Sequence, residues 1–79
     1  MSTKTLSDHN NKRLFLLSNF LREIRFAEGK TQEEVSRNLN LHRNTILRAE
    51  NAKNVTLLTV FKIADEFDIP IYELFQEID

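Results

Sequence analysis

Apolar side chains recur along this chain with a helical period. Leu17, Phe20, Leu21 and Ile24 fall at i, i+3, i+4 and i+7, one stripe that Leu14 and Leu16 widen. The stripe predicts a helix from about Lys12 to Glu28, stopped by Gly29. Residues 1–10 lack that period and read as a flexible N-terminal arm, with Ser7 or Asp8 able to cap the first helix. Thr31-Gln32-Glu33-Glu34 has the form of a capping box, Thr at N-cap and Glu at N3. It opens a second helix that runs to about Leu39 and buries Val35 and Leu39. Asn40 then suits a left-handed stop, being the residue other than glycine most at ease at positive φ.

A third helical stretch comes almost at once, about His42 to Asn51, with Ile46 and Ala49 on its inner side and Leu41 leading in. After a polar connector, Thr56 can cap a fourth helix from about Leu57 to Phe67. Its expected inner positions are Leu57, Val60, Phe61, Ala64 and Phe67, broadened by Leu58 and Ile63. Pro70 fits the first position of a fifth helix, about Pro70 to Glu77, carrying Ile71, Leu74, Phe75 and, just beyond, Ile78. One glycine and one proline in 79 residues leave no supply of tight turns for a sandwich or barrel, so the chain reads as all-α.

The second and third helices, joined by so short a link, must cross steeply, as in a helix-turn-helix. The outer side of the third presents His42, Arg43, Asn44, Thr45, Leu47 and Arg48. Arginine can donate two bonds to guanine and asparagine can pair in two places with adenine, so this face suits the major groove. The same residues also suit an ordinary solvated helix surface. Gln32, at the start of the second helix beside free backbone N–H groups, can grip a phosphate.

Charge adds to this picture only when divided. The net charge is −1, yet residues 1–55 hold ten basic and six acidic side chains, a net of +4. Residues 56–79 hold Lys62 and six acidic side chains, a net of −5. Such a split fits one face for a polyanion and another for a different partner, or an accident of surface composition. With no cysteine, a disulfide framework and a thiolate zinc site are excluded. His9 and His42 are too isolated to suggest a metal, and neither a cofactor nor a metal is expected. Adjacent carboxylates such as Glu33-Glu34 and Asp65-Glu66 diverge on a helix, no nucleophile sits beside a base, and no glycine-rich loop exists. An enzyme is not expected. No apolar run reaches the roughly 20 residues of a membrane helix, and the start lacks a signal-peptide core, so a cytoplasmic location is expected.

From about Leu17 to Phe75 the chain resembles the Cro/repressor helix-turn-helix family, the xenobiotic-response-element-like regulators. The resemblance is carried by Leu21-Arg22-Glu23-Ile24-Arg25, Lys30-Thr31-Gln32-Glu33-Glu34-Val35, Ile46 with Glu50, Thr56-Leu57-Leu58, Ile63-Ala64, Ile69-Pro70-Ile71 and Leu74-Phe75. It implies a compact five-helix, lambda-repressor-like DNA-binding domain over residues 11–79, with the third helix in the major groove of double-stranded DNA. By position it implies base reading by His42, Arg43, Asn44, Leu47 and Arg48, with Thr45 beside them on the DNA-facing side, backbone binding or support of a base contact by Gln32, and phosphate contacts by Asn51 and Lys53. It also implies a structural ion pair between Arg25 and Glu50. Ser36 stands where the family usually has alanine, and can fit by bonding back to its own helix. Asn40 replaces the usual turn glycine. His42 replaces a serine-like cap, which leaves that helix start less well capped and the ring free to face a phosphate. Leu47 suits a thymine methyl or a protein interface.

The last helix carries more apolar side chains than a small core can take. Tyr72, Phe75 and Ile78 are expected to meet their copies in a homodimer, placing two reading helices on a near-palindromic operator; the alternative is that Phe75 simply caps the core. The function expected is a sequence-specific transcriptional regulator, a repressor or autoregulator, with no small-molecule effector site in this chain. The alternative is a protein-interaction module that keeps the fold without binding DNA.

Overall fold

Nothing interrupts helix formation before Gly29, and the first helix, α1, takes full advantage of this. The computed structural model describes residues 3–78, with side chains from Asp8 onward, and α1 occupies Thr3–Ala27. The arm expected over residues 1–10 is therefore corrected from Thr3 onward; Met1 and Ser2, and the Ser7 side chain, lie outside the described residues. The physical reason is propagation: once a helix exists, each added residue gains a backbone bond, and no glycine or proline stands in the way.

Gly29, at φ 67°, ends α1. Its N–H donates to the Phe26 carbonyl at 3.0 Å and the Lys30 N–H to that of Arg25 at 3.1 Å, so the last carbonyls of the helix are satisfied. The second helix, α2, spans Gln32–Leu39. The Glu34 N–H donates to Thr31 Oγ1 at 3.1 Å, and the Thr31 N–H donates back to Glu34 Oε1 at 3.0 Å, completing the capping box. Asn40 is left-handed at φ 54°, and the Leu41 N–H reaches the Ser36 carbonyl at 2.8 Å. Two residues later α3 begins, spanning Arg43–Ala49. Two further helices complete the described chain, α4 over Leu57–Glu66 and α5 over Ile71–Glu77. Pro70 stands one position earlier than expected, at the N-cap of α5, where its ring offers no side-chain hydrogen bond.

The five described helices enclose one core: Leu21 of α1, Val35 of α2, Ile46 and Ala49 of α3, Val60, Ile63 and Ala64 of α4, and Leu74 of α5. Leu17, Phe20, Leu39 and Phe67 pack against it from its margin. α2 lies against both α3 and α4, and α5 lies against α1. Burying each large side chain such as Leu21 or Ile46 contributes about 1.5–3 kcal/mol.

The face of α4 differs from expectation. Leu57 is 60% exposed, Leu58 62% and Phe61 37%, so these three do not join the core. The inward line is Val60, Ile63, Ala64 and Phe67, at i, i+3, i+4 and i+7. Thr59 can be buried beside it because its hydroxyl shares a hydrogen bond with Thr56 Oγ1 at 3.1 Å. A helix rich in apolar residues on both sides does not reveal its inner line, and burying Thr59 turns α4 away from Leu57, Leu58 and Phe61.

Candidate nucleic-acid interface

The inner side of α3 is sealed and its outer side is open. Ile46 and Ala49 are wholly buried, while His42, Arg43, Asn44, Leu47 and Arg48 are exposed and Thr45 is half-buried. His42 does not leave the helix start bare. Its Nδ1 accepts the Asn44 N–H at 3.1 Å, so the ring acts as the N-cap, and the free end of that ring is Nε2. This corrects the expectation of a poorly capped start.

The attitude of α3 is set by a buried polar cluster. Arg25 Nε donates to Glu50 Oε2 at 2.7 Å and Nη2 to Oε1 at 2.9 Å, while Nη1 donates to the Lys30 carbonyl at 2.8 Å. The Arg25 guanidinium also lies 4.6 Å from the centroid of the Phe26 ring. Glu50 closes α3, where the helix dipole disfavours an anion, and the two-point arginine bond offsets that penalty. Gln32 Nε2 donates to the same carboxylate at 3.2 Å. One glutamate thus joins α1, the start of α2 and the end of α3. Gln32 is half-buried, and one of its amide hydrogens is committed to Glu50 rather than to an outside ligand.

Basic groups border the exposed side of α3 at both ends. Lys30, Thr31, Gln32 and Arg43 line a shallow depression by the start of α2, and Arg48, Lys53 and Asn54 line another beyond the end of α3. Glu33 is the acidic member of the first group; its Oε1 lies 4.0 Å from Arg43 Nε, and both side chains are exposed. A pair so exposed contributes little, and it engages the Nε edge while leaving the terminal guanidinium fork without a partner among the described residues. Asn51 donates from Nδ2 to the Leu47 carbonyl at 2.6 Å, so it finishes α3, and Lys53 is exposed beside it. Ser36 Oγ donates to the Glu33 carbonyl at 2.8 Å, which lets a hydroxyl stand buried against α3.

One contributor has no sequence signal of its own. Ser18 sits within the apolar stripe of α1, is 2% exposed, and its Oγ accepts the Ala52 N–H at 3.0 Å. A hydroxyl at an inward helical position is the only hint the sequence holds.

A family model for the helix-turn-helix matches residues 21–74, more than half of the chain. The chain belongs to the Cro/C1-type helix-turn-helix family. Its members are DNA-binding regulators. An uncharacterized HTH-type transcriptional regulator from Archaeoglobus fulgidus is 39% identical over 56 residues, covering 70% of this chain and 80% of the relative. No solved structure matches the chain. In this helix-turn-helix protein the matched segment ends at Leu74, which is buried, while the side chains around it differ sharply. Tyr72 is 64% exposed, Phe75 is 48% exposed and Ile78 is half-buried. Among the described residues no helix is long and apolar enough to cross a membrane.

Proposed function

We propose that this protein is a sequence-specific transcriptional regulator, a repressor or autoregulator of the cytoplasm, that reads the major groove of double-stranded DNA with α3. The observation that carries this reading is the outward polar face of α3, held on a sealed inner face by the Arg25–Glu50–Gln32 cluster. In this reading Arg43 turns its free fork to a guanine and Asn44 meets an adenine. Thr45 and Arg48 extend the reading line, and Leu47 covers a thymine methyl. His42 offers Nε2, its other nitrogen being occupied as the cap. Gln32, Asn51 and Lys53 serve the phosphates on either side.

The exposed Tyr72 and Phe75, with Ile78, supply the contact between two copies, so the operator is near-palindromic. The acidic segment 56–79, at net −5, suits a partner other than the polyanion. Neither a cofactor nor a catalytic step enters this function.

Selection from random duplex DNA tests it. Enrichment of a palindromic site is the expected result. Failure to enrich any sequence would leave the protein-interaction reading in its place. On the selected site, Arg43→Ala should weaken binding by about 1–3 kcal/mol and relax preference at one position. An unchanged affinity would remove Arg43 from the reading face.

A further inference from the structure

We infer that Ser18 of α1 is a positioning residue for DNA binding: its hydroxyl holds Ala52 in the left-handed conformation and so aims Lys53 at the phosphate backbone. The inference rests on the DNA-binding reading above and adds a residue of α1, one turn and more before Arg25, that the reading leaves unused.

Ala52 has φ 55°, a region that a Cβ makes unfavourable and that glycine enters freely. Something must hold it there. The Ser18 Oγ accepts its N–H at 3.0 Å, across 34 positions of sequence. Ser18 is 2% exposed, so water does not compete for that oxygen. Among the described residues, the neighbours of Ala52 bond to the end of α3: the Asn51 and Lys53 N–H groups both reach the Arg48 carbonyl, at 3.2 and 3.1 Å, and Asn51 Nδ2 reaches that of Leu47. The Ser18 bond therefore ties this turn to the body of the fold. Asn51 and Lys53 flank Ala52 directly, and a change of φ there swings Lys53 relative to α3. Because phosphate contacts do not depend on sequence, the effect falls on all duplexes alike.

The test uses Ser18→Ala, Ala52→Gly and the double variant, on the selected operator and on a random duplex across a salt series. Ser18→Ala should weaken binding to both duplexes by the same factor, about tenfold, the loss of one buried hydrogen bond expressed as affinity. Its salt dependence should become shallower by about one phosphate contact. In the Ala52→Gly background the loss should shrink to less than about threefold, because glycine holds positive φ unaided. Hydrogen exchange at the Ala52 amide should accelerate in Ser18→Ala while the core amides stay protected.

Random-duplex affinity within about twofold of wild type in Ser18→Ala would overturn the inference. So would an equal loss in both backgrounds, which marks general damage. If the wild type binds neither duplex, the DNA-binding reading fails and the role of Ser18 fails with it. If the wild type binds both and only the Ser18 variant behaves as wild type, the inference alone fails.

Discussion

Two helices of seven residues, α3 and α5, put opposite chemistry on their outer faces. Each drives a narrow apolar line inward, Ile46 and Ala49 in one and Leu74 in the other. Outward, α3 shows Arg43, Asn44 and Arg48, whereas α5 shows Tyr72 and Phe75. α3 starts on the His42 ring and ends on a paired carboxylate; α5 starts at Pro70 with no side-chain cap. A polar outer face is content in water and carries direction, which suits base edges. An apolar one is content only when covered. The two outer faces are accordingly fit for different partners.

The sharpest way to break this contrast is at Glu50. Glu50→Ala strands Arg25 in the interior and should cost about 3–5 kcal/mol in urea unfolding. DNA binding should fall with it, and a variant of unchanged stability would show the pair to be ornamental. Phe75→Ser should leave the monomer folded and weaken self-association by about 1.5–3 kcal/mol, read by sedimentation at micromolar concentration. A wild-type protein already monomeric there would remove the dimer from the proposed function.

His42→Ala makes the start of α3 as bare as that of α5, and should cost about 1 kcal/mol of stability. His42→Asn, which keeps an acceptor, should restore most of it, and equal losses in both would count against the cap. The smallest effect is expected at Glu34. The Thr31 backbone N–H, then the Thr31 hydroxyl, hold its carboxyl below the ordinary value, aided by Lys30 and Arg37 against slight desolvation. A lowered folded value means the capping box stabilises the fold above the ordinary glutamate range. That contribution disappears as acid passes down through the folded value. Stability should therefore fall more steeply with acid in wild type than in Glu34→Gln across that interval. Parallel curves would show that Glu34 is not coupled to folding.

The middle of the chain is legible because its punctuation is chemical. Gly29, the Thr31–Glu34 box and Asn40 each bring a distinct backbone requirement, and together they place α2 and the start of α3 within a residue. The face of α4 is not legible, since Leu57, Leu58 and Phe61 are as apolar as the residues that do bury, and periodicity cannot rank them. The first turns of α1 escape pattern reading because a polar helix carries no stripe. A buried serine looks like a surface serine, so Ser18 is marked only by its place in the stripe of α1, and histidine is an uncommon cap. The Arg25–Glu50 pair is visible only through family likeness; 25 residues of separation hide it from any local pattern.

The chain holds a single glycine, yet its backbone turns left-handed at four described places: Gly29, Asn40, Ala52 and Asp68. Three of these joints carry a side chain, which narrows the conformations open to the unfolded chain and stiffens the bends themselves. The link between α2 and α3 is thus no swivel. A duplex would meet a template already set, and any accommodation between the two would have to come from the DNA. Steps that unstack and bend easily would then make better binding sites than their base edges alone account for.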